Sequence, residues 1–291
     1  MEAYFVFHYS YIRVMKTSRT SKRSAVSKKR TTTVKRKRRL FRMEVGTSGF
    51  MSSQKQWLNL PMLNCIEVNS TFYRLIGKTS VEKYLKFPDR VSFIFKVSRF
   101  ITHIKRLNDV KEAWSNFWTP LEPLAPRIVT VLFQMPPSFH NKPVNVERIR
   151  SLKDILPAGL IPAFEFRDKS WLNQETYDLF KELGWCMVGT YILKEEGAKW
   201  MGTMPSGLFI PPIFGNMTYV RIHGRRGFRG AIDSEKLERL RRHILQQRSF
   251  TNICMFNNVF FDKRGTTCNV GNEVVRYAAL CNACQFAQIK K

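Results

Sequence analysis

From Met43 onward, short runs rich in β-branched and aromatic residues alternate with stretches whose apolar residues recur three and four positions apart. The first pattern predicts strands, the second amphipathic helices. Eight strands are expected: MEVGTSG (43–49), CIEVNS (65–70), VSFIFKVS (91–98), IVTVLFQ (128–134), PAFEFR (162–167), WCMVGT (185–190), TYVRIHG (218–224) and NICMFNN (252–258). Helical patterns fall between and after them, at 80–87, 110–118, 145–156, 174–183, 233–247 and 272–288, with Asn173 and Asp233 as N-caps. Residues 53–60 make only a short helix, and 195–215 read as a long loop rich in Gly and Pro. Near-continuous apolar strands joined by crossovers predict a parallel sheet. Eight of them predict an α/β fold of the (β/α)8 TIM-barrel type, with a doubly wound open sheet as the competitor.

Polar residues concentrate at the carboxyl ends of these strands: Ser48, then Glu67 and Asn69, Lys96 and Ser98, Gln134, Glu165 and Arg167, Arg221 and His223, and Asn257 with Asn258. Many are spaced by two, so each such pair projects from one face of its strand. Two readings stand for each residue alone: it caps a layer of the barrel interior where the strand nears solvent, or it serves a ligand. Together, two carboxylates, two guanidinium groups, an ammonium, an imidazole and several amides on one rim are costly to desolvate without a ligand or one another. The carboxyl-end mouth is therefore the expected site.

VGTSGF, IEVNSTFYRL, FKVSRFITH, VLFQMPPSF, AFEFRDKSW, YVRIHGR and FNN occur in an order and at a spacing that resemble the YecE-like family, also called domain of unknown function 72, over about residues 43–280. The resemblance implies an eight-stranded barrel with a pocket built from those motifs, and it brings no settled reaction. The chain departs from the family pattern at Phe50, where Trp is usual, and after FNN, where the usual acidic residue is missing.

Several chemistries compete at this mouth. Glu67 and Glu165 suit the acid and base or nucleophile of glycosidic hydrolysis; alternatively a neighbour such as Arg167 or Lys96 neutralises Glu165, and the carboxylates only order the pocket. Lys96 suits a Schiff base if its proton affinity is lowered, although adjacent carboxylates would keep it a charged anion binder. His103 and His223 are candidate acids, bases or plain hydrogen-bonding residues. Ligands for a multinuclear metal site are too few, so no metal is assigned, and without a dinucleotide fingerprint or P-loop no cofactor is assigned either. HGRRGFRG (223–230), with Arg225, Arg226 and Arg229 among glycines after the seventh strand, reads as a phosphate-binding loop or as a solvated basic loop. Arg74, Arg99 and Arg106 add charge on the same side, and Phe72, Tyr73, Phe100, Phe139 and Trp171 offer rings for stacking or merely plug the rim.

The chain is strongly basic, and its charge is unevenly spread. The chain has 291 residues with 49 Lys and Arg against 22 Asp and Glu, a formal +27, and 44% hydrophobic residues, enough for a sizeable core. Residues 1–43 hold 14 of the basic residues and one acid. Residues 1–42 are accordingly read as a disordered basic arm before a barrel domain at 43–291. Three readings of the arm stay open: a nuclear or mitochondrial targeting signal, a nucleic-acid-binding arm, or an extension before a functional start at Met43. Six cysteines without short-spaced pairing suggest reduced thiols in an intracellular protein, with Cys281 and Cys284 as small helix residues or one half of a metal site. No apolar run is long enough to span a bilayer. The leading expectation is an enzyme, hydrolase- or lyase-like, acting on an anionic, phosphorylated or nucleic-acid substrate. Glu67, Glu165, Lys96 and His223 would stand at its centre. Its rival is a non-catalytic nucleic-acid binder that uses the arm and the arginine-rich mouth.

Overall fold

The computed structural model describes residues 42–193, 202–212, 217–224, 229–261 and 265–289. The expected arm, apart from Arg42, lies outside these residues. So do Arg225, Arg226 and Gly227 of the expected phosphate loop. The strands are β1 (Arg42–Ser48), β2 (Cys65–Val68), β3 (Ser92–Lys96), β4 (Ile128–Gln134), β5 (Ala163–Glu165), β6 (Cys186–Met187), β7 (Gly189–Ile192), β8 (Gly207–Phe209), β9 (Met217–His223), β10 (Thr251–Phe256), β11 (Cys268–Val270) and β12 (Glu273–Val275). The helices are α1 (Gln54–Leu58), α2 (Lys78–Leu85), α3 (Lys111–Trp118), α4 (Pro143–Ser151), α5 (Gln174–Leu183), α6 (Ser234–Gln246) and α7 (Ala278–Gln288). Asn173 and Asp233 do cap α5 and α6, accepting the amide hydrogens of Thr176 and Lys236 at 2.8 Å.

Ten strands form one curled sheet in the order β6-β5-β4-β3-β2-β1-β10-β9-β7-β8. All pairs are parallel except β7 with β8. The eight expected parallel runs are all present, but the sheet differs from the expected eight-stranded barrel in two places. The sixth run is divided at Val188: β6 pairs with β5, whereas β7 pairs with β9. An antiparallel β8 also emerges from the segment expected as a loop. A further correction falls in 272–288, where the helix begins only at Ala278. Gly271, at φ +57°, turns the chain between β11 and β12 instead. A Gly-Asn pair between short β-rich runs is a hairpin signal, and it outweighs the apolar spacing that suggested helix.

The sheet has a core on each face. One cluster joins strand residues such as Ile66, Val68, Phe93, Phe95, Phe133 and Phe164 to helix residues such as Trp57, Trp114, Phe180 and Leu240. The other is made almost wholly from strands: Cys65, Ile94, Leu132, Ala163, Cys186, Val188, Met217, Tyr219, Ile253 and Met255. It contains a member from every expected parallel run except the first. That run passes Gly46, whose missing side chain lets the backbone lie against Cys65.

Cysteine usage also departs from expectation. Cys268 and Cys281 form a disulfide, while Cys65, Cys186, Cys254 and Cys284 are free and buried. The β11–β12 hairpin brings Cys268 back to α7, with the two Cα atoms 6.3 Å apart. No described helix is long and apolar enough to cross a membrane.

Candidate functional site

Strand alternation builds the site. Glu67 follows Cys65 by two residues, Lys96 follows Ile94, Gln134 follows Leu132, Glu165 follows Ala163, Arg221 follows Tyr219, and Asn257 follows Met255. Each earlier residue belongs to the strand-made core. The polar residues thus continue that core toward the carboxyl ends, one layer further along the same face. Register keeps them level: Ser48 is opposite Glu67, Gln134 opposite Glu165, and Arg221 lies between Met255 and Thr190.

Arg221 is the hub of this layer. Its Nε and Nη2 donate to the two oxygens of Glu67 at 2.8 and 2.6 Å, its Nη1 donates to Glu165, and its Nη2 also reaches Ser48 Oγ at 3.4 Å. Tyr219 donates its hydroxyl to Glu67, and Arg167 pairs with the other oxygen of Glu165. Glu67 and Glu165 are completely buried, and Arg221 and Arg167 nearly so. Burial alone would raise both carboxylates. The guanidinium groups outweigh it: Arg221 holds Glu67 below the ordinary range, and Arg167 with Arg221 holds Glu165 well below it. Both carboxylates are therefore ionised and fully occupied, which is unlike a general acid of glycosidic hydrolysis.

Above this layer lies a cavity of about 330 Å³ lined by Asn69, Phe72, Tyr73, Lys96, His103, Gln134, Arg167, Arg221 and Asn257. Lys96 Nζ donates to Gln134 Oε1 at 2.8 Å and sits 4.1 Å from the centre of the Phe72 ring. Among the described residues no carboxylate lies within 4 Å of it. Burial, and then repulsion by Arg221, lower its pKa to about 8. His103 stands on a single wide helical turn, Phe100–Ile104, with its ring edge-on to Phe72 at 4.9 Å and its Nδ1 2.9 Å from Thr102 Oγ1. Burial and the charge of Lys96 lower its pKa to about 4. Just past this turn, Arg106, Leu107 and Asp109 all take positive φ, a strained path of the kind concentrated at functional loops.

His223 is completely buried, 3.6 Å from Glu165 and 3.4 Å from Asn257 Nδ2. Burial lowers its pKa from 6.5 to about 4, and repulsion by Arg167 and Arg221 adds to the fall, against the opposing pull of Glu165. A histidine with a depressed folded pKa stabilises the fold above the unfolded value, and that contribution is lost as pH falls from about 6.5 toward 4, up to ~3 kcal/mol. Urea unfolding between pH 7 and 4.5 is expected to show this decline, and His223→Asn should flatten it. Equal slopes in the two proteins would contradict the assignment.

The remaining expected residues fall in several places. Ser48, Asn69, Gln134, Arg167 and Asn257 meet the ion cluster or the cavity, and the buried Oδ1 of Asn69 has no hydrogen bond among the described residues. Tyr73 is an exposed part of the cavity wall. Arg99 is exposed and does not line the cavity, and Arg74 lines a separate one of about 450 Å³ with Lys83 and Ser80. Trp171 is not at the mouth: it is fully buried between Phe139 and Phe166, and its Nε1 donates to Phe139 O. Its amphipathic ring at a strand end suggested stacking on a ligand, but its N–H is satisfied inside the core. Asn258 is likewise buried, joining Gly230 O to Asn282 of α7. In sequence Tyr219 resembles an ordinary strand residue; its place two before Arg221 and four before His223 is the signal that sets it on the same face. Among the described residues no group of three or more His, Cys, Asp or Glu is arranged to hold a metal ion.

A curled, mostly parallel α/β sheet with an ion cluster and an open cavity at its carboxyl ends defines a barrel-like class of protein. The chain matches the family model described as "Protein of unknown function DUF72" over residues 53–267 and belongs to that family. It is 30% identical to the UPF0759 protein YunF of Bacillus subtilis over 172 residues, covering 55% of this chain and 58% of that protein, so the match spans less than two thirds of that relative's length. The crystal structure of a DUF72 family protein from Thermotoga maritima is similar with a TM-score of 0.66 at 27% identity, over 84% of this chain and 97% of that one. One from Enterococcus faecalis shares the fold with a TM-score of 0.65 at 20% identity, over 84% and 96%.

Proposed function

We propose that the cavity above Arg221 is the active site of an enzyme acting on an anionic small molecule, held opposite Lys96. The observation that carries this reading is a charge imbalance. Glu67 and Glu165 are matched by Arg221 and Arg167, while Lys96 has no carboxylate partner among the described residues. A half-buried cation facing an open cavity is stabilised by a carboxylate or phosphate from outside. Asn69, whose Oδ1 has no hydrogen bond among the described residues, lines the same cavity. The occupied state of both carboxylates disfavours the glycosidase version of the expected hydrolase. The same reading includes a closed eight-membered ring of strands: β6 and β7 are one residue apart, and Val188 between them donates to Phe164 O of β5 at 2.8 Å. Counting 186–192 as one strand links β5 to β9.

Thermal unfolding of the full chain against sugar phosphates, carboxylic acids, nucleotides and oligonucleotides at fixed ionic strength tests the proposal. An anionic small molecule is expected to raise Tm in the wild type, by an amount corresponding to ~2.7 kcal/mol at a hundred times its Kd, and to lose that effect in Lys96→Met. Stabilisation by oligonucleotides alone, falling steeply with salt and indifferent to Lys96→Met, would favour the nucleic-acid-binding rival.

A further inference from the structure

We propose that Lys96 is a nucleophilic amine that condenses with the carbonyl group of an anionic aldehyde or 2-oxo acid to form a protonated imine. The proposal rests on the anion-binding reading above and names the substrate class of the same cavity.

From sequence, Glu67 and Glu165 are expected to keep Lys96 charged. In the structure both oxygens of each carboxylate are engaged by arginine. What Lys96 meets instead is a neutral amide oxygen, an aromatic face and the cavity. The charged groups that act on it are Arg221 and Arg167, which oppose its protonation, and Glu165 and Glu67, which favour it; burial and Arg221 prevail, leaving its pKa at about 8. A lysine in that range holds on the order of a tenth of its population as free amine near pH 7, against well under a hundredth for an exposed one.

A proton relay stands on the same aromatic ring. His103 and Lys96 both contact Phe72 and both line the cavity. His103 is neutral near pH 7, its Nδ1 is tied to Thr102, and its other ring nitrogen has no hydrogen bond among the described residues. The free amine adds its lone pair to the carbonyl carbon, the carbonyl π electrons move to oxygen, and one proton passes from the new N–H₂⁺ group to that oxygen by way of neutral His103. The proton that Lys96 released to become the free amine returns to the same oxygen, the C–O bond breaks, water leaves, and the nitrogen lone pair forms the C=N⁺ bond. The net change is ammonium plus carbonyl to protonated imine plus water, with no oxidant or reductant required. Because the imine keeps the positive charge of the lysine, the anionic group of the same molecule remains electrostatically matched throughout.

The test uses the full chain with pyruvate and glyoxylate as carbonyl probes, lactate and glycolate as their hydroxy counterparts, and borohydride to reduce any imine to a stable secondary amine. Peptide mass mapping is expected to find the reduced adduct on Lys96 at least about tenfold above the average lysine at pH 7, with the yield rising through a midpoint near pH 8. Lys96→Arg should abolish that adduct while retaining stabilisation by the hydroxy acids. Labelling of Lys96 no faster than surface lysines, with Lys96-dependent stabilisation by lactate or glycolate preserved, would overturn the imine and leave the anion site standing. Absence of Lys96-dependent stabilisation by any anion would overturn both.

Discussion

Gly46→Ala is expected to prevent folding or to lower stability by more than ~3 kcal/mol, well beyond the usual cost of a methyl group added to a core. A Cβ at Gly46 would lie 1.6 Å from the carbonyl oxygen of Cys65 and 2.7 Å from its carbon. Both atoms are backbone, so no rotamer change relieves the overlap; β1 and β2 must separate where Gly46 pairs with Cys65. The level pairing of Ser48 with Glu67, two residues further on, would be lost with it. A domain stabilised by about 5–15 kcal/mol has little margin for such a loss. Gly77→Ser provides the control: the position opens onto space, precedes α2 as its N-cap, and accepts serine without penalty. Circular dichroism melts of the two variants decide the matter, and a Gly46→Ala protein melting within a few degrees of wild type would refute the close approach.

The parts of the fold that were legible in the sequence are those where burial and alternation agree. Strands such as 65–68 and 128–134 sit between two cores, so both of their faces select apolar residues until the carboxyl end, where one face changes to Glu67 or Gln134. That switch revealed the mouth. The partners were less legible, because adjacency across a sheet of parallel strands is not encoded locally: Glu165 and Arg167 are two apart in sequence, but Arg221 reaches Glu67 across 154 positions. Trp171 and Asn258 looked functional because a ring or amide after a strand can serve core or ligand equally, and only the bonds to Phe139, Gly230 and Asn282 distinguish these uses. The Cys268–Cys281 bridge was hidden for a related reason. It depends on the Gly271 turn, which lies within a segment of helix-like apolar spacing.

Arg221→Met is expected to cost at least ~3–5 kcal/mol at pH 7.5, since it leaves buried carboxylates without their common partner. The pH dependence is the more specific signature. In the wild type, Glu67 and Glu165 titrate below their ordinary value of 4.5, so they stabilise the fold above that value and cease to do so as pH falls through their folded pKa values. In the variant, burial raises Glu67 without Arg221 to oppose it, and the sign reverses: the folded state takes up protons first and gains stability as pH falls toward 5. The gap between variant and wild type should therefore narrow from pH 7.5 to 5 in urea titrations, and a gap independent of pH would contradict the ion cluster. Glu67→Gln added to Arg221→Met should recover part of the loss at pH 7.5 by removing one stranded charge. Arg221 also opposes the protonation of Lys96. Its removal should consequently move the midpoint of Lys96 labelling upward from about 8, an effect that a purely structural arginine would not produce.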